Sequence, residues 1–172
     1  MKAAGILFYR VLEDNTVQLL LRNSKGKGFA DLGGKIEDCD RDIYDIAARE
    51  AWEESNKVFD VNELQKKIRN QEGYYIVAAK YCMFYCEIGN HDTNEFGDTE
   101  IVTNQSHEFQ WIGENDKFSC HVRLSTHFSE VMKDLHKYIE FQKTNPPGTR
   151  YLNDVDWNSV RAEWEHNREQ AE

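Results

Sequence analysis

Gly33-Gly34-Lys35-Ile36-Glu37 and, further on, Arg49-Glu50-Ala51-Trp52-Glu53-Glu54 make up the stretch from which the fold is read. Between them Ile43, Ile46, Ala47 and Ala51 recur three or four residues apart, which predicts a helix over 42–56 with Asp40 or Asp42 as its N-cap. On such a helix Glu50 shares a face with Glu53 (i, i+3) and with Glu54 (i, i+4). Like charges at these spacings repel by roughly a few tenths of a kcal/mol per pair. Clustered glutamates are commonly no more than a solvated helix face. Beside an apolar stripe they are also what a hard divalent cation selects, because Mg²⁺ takes oxygen ligands and shares them with phosphates. The glycine pair upstream lets the backbone approach a ligand, or turn where a Cβ would clash.

Working outward, the apolar runs 3–12 and 17–22, separated by Glu13-Asp14-Asn15-Thr16, predict a β-hairpin. Lys25-Gly26-Lys27-Gly28 forms a flexible basic loop. Beyond the central helix the pattern predicts a second, short helix over 61–70 and one long central strand from Tyr74 to Ile88. A polar loop over 89–107 follows, of a length that marks it as mobile or functional, then a short strand at Phe109-Gln110-Trp111-Ile112. Helices over 125–143 and 156–170 flank Asn145-Pro146-Pro147-Gly148. Mixed strands and helices predict a layered α/β domain. A chain of 172 residues is expected to form one domain, 1–172, with 125–172 as a helical C-terminal extension.

The formal net charge of −10 argues against a long nucleic acid as default partner, since phosphates favour a basic surface. An anionic ligand would need a divalent cation between it and the protein. No apolar run approaches the roughly 18 residues of a membrane span, so no membrane partner is expected. Arg10 cuts the N-terminal apolar run too short for a signal peptide. Cys39, Cys82, Cys86 and Cys120 are expected to be reduced thiols of a cytoplasmic protein. Cys82 and Cys86 on one strand stand about 13 Å apart, too far to share a zinc with Cys120 and His121. His91, His107 and His127 have no nucleophile partner at a recognisable spacing. Tyr9, Phe29, Tyr85, Phe96 and Trp111 could stack on a base, though most are expected in the core.

The 33–56 segment resembles the Nudix box, Gly-x5-Glu-x7-Arg-Glu-U-x-Glu-Glu-x-Gly-U, with U an aliphatic residue. Gly34, Arg49, Glu50, Glu53 and Glu54 match in type, and Gly33, Lys35, Ile36 and Glu37 match the common opening of the box. The resemblance extends to the preceding strand ending Leu20-Leu21-Arg22 and to the later Glu108 to Trp111, so it covers residues 3–112. This chain departs from the pattern in three places. Its loop is one residue longer, so Asp40 satisfies the interval from Gly34 while Asp42 satisfies that to Arg49. Ala51 stands at the first aliphatic position, and Asn56 replaces the closing glycine. Asparagine tolerates left-handed backbone geometry, which keeps a helix C-cap there reasonable.

This resemblance implies a Nudix-type α/β/α sandwich with a mixed β-sheet and extra C-terminal helices. It implies a hydrolase, dependent on Mg²⁺ or alternatively Mn²⁺, that cuts a phosphoanhydride bond in a nucleoside diphosphate linked to another moiety. Metal binding falls to Glu50, Glu53 and Glu54, with Gly34 in the metal cradle. Catalysis falls to Glu53, Glu54, Arg49 and Glu108, with Glu54 or Glu50 activating water. Arg49 is expected to pair with Glu37 and orient the carboxylates. Glu95 and Glu100 rival Glu108 as the late carboxylate. Arg22 and Lys35 are the expected phosphate contacts.

The expected substrate is a small nucleotide such as a nucleoside triphosphate, a dinucleotide polyphosphate or ADP-ribose. Decapping of capped RNA is the main alternative, with Lys25, Lys27, Lys35 and Lys66-Lys67 as a local basic patch. A non-catalytic Nudix-fold binding module is a further alternative, and a homodimer is left open.

Overall fold

A computed structural model describes residues 2–151, and the helix expected over 156–170 lies outside them. The strands are β1 (Ala3–Val11), β2 (Val17–Ser24), β3 (Phe29–Ala30), β4 (Leu32–Lys35), β5 (Tyr74–Ile76), β6 (Tyr81–Glu87), β7 (Thr99–Glu100) and β8 (Gln105–Gly113). The helices are α1 (Ile43–Glu54), α2 (Val61–Ile68), α3 (Val122–Ser125) and α4 (Phe128–Thr144). The hairpin β1–β2 forms the middle of a sheet of order β5-β6-β1-β2-β8-β7, with β4 also paired to β1 and β3 to β2. β1 runs parallel to β6, from Ala3 opposite Tyr81 to Tyr9 opposite Glu87. Its pairings with β2 and β4 are antiparallel, so the sheet is mixed as expected.

Both faces of this sheet are covered. Ala4, Ile6 and Phe8 of β1 join the core with Ile43, Ile46, Ala47 and Ala51 of α1 and with α2. Leu7 and Tyr9 pack on the opposite face against Val131, Leu135, Tyr138 and Ile139 of α4. Two-sided burial is why β1 reads as an unbroken apolar run instead of an alternating one. Removal of each large apolar side chain from water contributes about 1.5–3 kcal/mol. The layers are therefore α/β/α. Among the described residues no helix is long and apolar enough to cross a membrane.

Three expectations change. The single strand over 74–88 is a hairpin: β5 turns through Val77–Lys80, where Lys80 N–H donates to Val77 O at 3.2 Å, and returns as β6. Fifteen residues of strand would run about 50 Å, longer than the neighbouring β1 can pair. Apolar composition hid the turn, because Val77 is apolar yet 75% exposed. The last strand begins at Gln105, inside the stretch expected to be loop. Its inner face carries His107 and Phe109 while Ser106, Glu108 and Gln110 face solvent, so half of it reads as polar. The helix expected over 125–143 forms as α4 but begins only at Phe128, with the short α3 set apart before it.

β4 lies close against β1, with Gly33 opposite Gly5 and the Tyr81 hydroxyl against both glycines. A Cβ on Gly33 would stand 2.7 Å from Ala4 O and 2.7 Å from Gly5 Cα, so the strands would have to part. Gly33→Ala is expected to destabilise the fold by about 1–3 kcal/mol. An unchanged thermal midpoint would contradict this close approach.

Candidate functional site

The entry to α1 resolves the competition between Asp40 and Asp42. The Asp42 side chain accepts the N–H of Asp45 at 2.9 Å and caps the helix. Asp40, only 2% exposed, takes Arg49 in a two-pronged pair: Nε to Oδ1 at 2.9 Å and Nη2 to Oδ2 at 2.8 Å. Arg49 Nη2 also donates to Lys35 O at 3.0 Å. Its Nη1 reaches Glu50 Oε1 at 3.0 Å and Glu53 Oε2 at 3.4 Å. The expected partner Glu37 is the most distant of the four carboxylates, at 3.5 Å. Arg49 thus gathers these four carboxylates, with Asp40 as its firmest contact.

Glu54 is gripped on both oxygens. Oε1 accepts the Gly33 N–H at 2.7 Å and Oε2 accepts Arg22 Nη1 at 2.7 Å. The rest of the Arg22 guanidinium is taken up as well, Nη2 donating to Glu100 Oε1 at 2.9 Å and Nε to His107 Nδ1 at 3.0 Å. His107 Nε2 lies 3.0 Å from Phe96 O, so the bonding pattern assigns the proton to Nε2. Burial holds this imidazole below its ordinary pKa, in keeping with the neutral form. Arg22, expected to contact phosphate, lines the cleft and holds Glu54 in place.

Asn56 joins the end of α1 to the loop that carries Glu100. It adopts a left-handed φ of 54°, as a residue standing in for glycine must. Its Nδ2 donates to Phe96 O and Thr99 O at 2.8 Å each, and its Oδ1 accepts the Ile101 N–H at 2.8 Å. This places Glu100, not Glu108, in the site. Glu108 lies on the exposed face of β8 and accepts from Gln110 Nε2 at 2.5 Å, while Glu95 pairs with His91. The alternation of β8 held the signal: with Phe109 inward, Glu108 must point outward.

Part of this network lines a cleft of about 480 Å³. Asp31, Glu37, Glu50, Glu53, Glu54 and Glu100 contribute carboxylates, and Arg22, Lys27, His121 and Arg123 bring the basic groups. Lys35, whose side chain is exposed, does not line it. Burial raises the pKa of Glu50 and Glu53. Glu54 is pushed up to about 8 by its burial, with Glu50 and Glu100 adding to the effect against the pull of Arg22.

No protein-family model and no curated protein matches the chain. Solved structures do. The Nudix domain of Shewanella oneidensis NrtR, crystallised with ADP ribose, aligns with a TM-score of 0.55 at 13% identity, over 80% of this chain and 88% of that one. The M. smegmatis Nudix hydrolase RenU aligns at 0.53 and 12% identity, over 79% and 86%. The C. elegans Ap4A hydrolase aligns at 0.51 and 16%, over 80% and 97%. This chain has the Nudix fold.

Within this Nudix fold the donor set suits a hard cation. Three half-buried glutamates with raised pKa favour whatever neutralises them, a proton or a metal ion. Gly34 is fitted to Glu50: a Cβ there would stand 2.5 Å from the Glu50 carboxyl carbon. Among the described residues no three His, Cys, Asp or Glu side chains are already gathered around one point. Glu50 and Glu53 turn instead to Arg49. Mg²⁺ keeps several waters and is held through one or two carboxylates plus substrate phosphates, so a closed cage is not required.

Proposed function

We propose that this chain is a metal-dependent Nudix hydrolase that cuts a phosphoanhydride bond in a nucleoside diphosphate linked to another moiety. The observation that carries the reading is Glu54, oriented through both oxygens by Gly33 and Arg22, beside Glu50 and Glu53 in one cleft. Glu50, Glu53 and Glu54 supply oxygen donors for Mg²⁺ or Mn²⁺. When bound, such an ion polarises a phosphoryl oxygen and makes bound water more acidic.

The chain's own groups do the rest. Each Glu54 oxygen accepts one hydrogen bond and keeps a lone pair free, so the carboxylate can take a proton from the attacking water. A bound cation favours the ionised carboxylate, the form that accepts this proton. The water oxygen bonds to phosphorus, the bridging P–O bond breaks, and the leaving phosphate departs. Arg22, held by Glu100 and His107, keeps Glu54 aimed throughout.

A small nucleotide is the proposed substrate. The net charge of −10 opposes a long polyanion, and of the structurally similar proteins one was crystallised with ADP ribose and another is an Ap4A hydrolase. The test is a panel of nucleoside triphosphates, ADP-ribose, dinucleoside polyphosphates and capped RNA, each with Mg²⁺ or with chelator, products being identified by mass. Cleavage of a small nucleotide only with metal is expected. Turnover in chelator would overturn the metal requirement, and turnover of capped RNA alone would overturn the substrate class.

A further inference from the structure

The basic wall of the cleft is assembled from two segments distant in sequence. Gly28, at φ 106°, lets residues 119–121 lie directly on its backbone: a Cβ there would stand 2.6 Å from His121 N and 2.7 Å from Cys120 C. Phe29 N–H donates to Ser119 O at 2.7 Å and His121 N–H to Phe29 O at 3.0 Å. This docking brings Lys27 to the same cleft wall as His121 and Arg123.

Arg123 is fixed before any ligand arrives. Its Nε and Nη2 donate to Asp31 Oδ1 at 3.3 and 3.0 Å, and Nη2 also to Asp31 O at 2.8 Å. The Tyr81 hydroxyl holds the other Asp31 oxygen, and the guanidinium lies over the Tyr81 ring at 4.8 Å. Nη1 alone makes no hydrogen bond among the described residues. The Lys27 ammonium has no ion pair among them either. His121 Nδ1 accepts the Arg123 backbone N–H at 3.0 Å, so a neutral ring carries its proton on Nε2.

Six carboxylates line the same cleft, and although Arg123 pairs with Asp31, neither Lys27 nor Nη1 of Arg123 makes an ion pair with any of them among the described residues. The Lys27 ammonium and this one free edge of Arg123 leave room for an anion. A guanidinium edge and an ammonium together match a phosphate, the first by its rigid fork and the second as a point charge.

We propose that Lys27 and Arg123 form an anion subsite that takes a phosphate of the substrate other than the one attacked, an inference that rests on reading this cleft as a phosphoanhydride site. The carboxylate wall then addresses the reacting phosphate and the basic wall its neighbour. The probe is α,β-methylene-ADP, whose bridging carbon cannot be hydrolysed, titrated with Mg²⁺ present and followed by calorimetry. Lys27→Ala is expected to bind it about 10-fold or more weakly, as for loss of a charge-assisted contact. Lys66→Ala, an equal change of charge on α2, is expected to bind it as the wild type does. Lys27 is exposed, so its replacement leaves the fold intact. Arg123→Lys, checked for folding by thermal unfolding, is expected to weaken binding likewise.

Equal affinity in wild type and Lys27→Ala, or no binding by wild type, overturns the subsite. Binding that depends on Lys27, in a protein that hydrolyses nothing in the panel, upholds the subsite and overturns the hydrolase.

Discussion

Glu54→Gln is expected to lower phosphoanhydride turnover by about 10²–10⁴-fold, the range for loss of a positioned proton acceptor, while leaving the chain folded. Glutamine keeps an oxygen for the Gly33 N–H, and it is neutral, as is the protonated form that a pKa pushed up to about 8 favours in the metal-free chain. The sign of the pH effect follows. The folded pKa lies above the unfolded value of about 4.3, so stabilisation from this group is full in acid and is lost as pH rises through about 8. In chelator, the wild type should therefore lose thermal stability between about pH 5 and 8 relative to Glu54→Gln. Wild-type turnover by the variant would overturn the assignment, and parallel stability profiles would overturn the raised pKa.

Arg49→Ala carries the largest expected loss of stability. Asp40 is 2% exposed and would be left buried without its cation. Glu37, Glu50 and Glu53 would lose the charge they share. Removing one partner of a buried ion pair costs about 3–5 kcal/mol, or about 6–20 °C in midpoint at roughly 2–4 °C per kcal/mol for a chain of this size. Adding Asp40→Asn should recover a good part of that loss, because it removes the stranded charge; additive losses would show that the two side chains are not coupled. Arg49→Lys keeps the charge without the two-pronged geometry and should fall between.

Much of this architecture is written locally. The stripe Ile43, Ile46, Ala47 and Ala51 makes α1 from its own periodicity, and the two apolar runs around Glu13–Thr16 make the β1–β2 hairpin. The left-handed turn at Asn56 follows from the residue type. Glu50, Glu53 and Glu54, set by helical spacing, arrive on one cleft. Such features depend on residues a few positions apart, which is the range over which propensity and periodicity act.

Other features depend on what packs against what. The apolar run 74–88 carries no mark of where β5 ends, because the length of the sheet, not the run itself, forces the turn. Asp40 and Asp42 are equally acidic and almost equally spaced; burial beside Arg49 selects one and the helix end takes the other. Glu100 reaches Arg22 only because Asn56 ties down its loop, and Glu108 is excluded by the register of β8. Lys27 and Arg123 come to one cleft because Gly28 admits another backbone. By itself the sequence determined the carboxylate helix and the hairpin that supports it. The tertiary structure decided which acids and bases face that helix, because those contacts join segments whose separation along the chain carries no local signal.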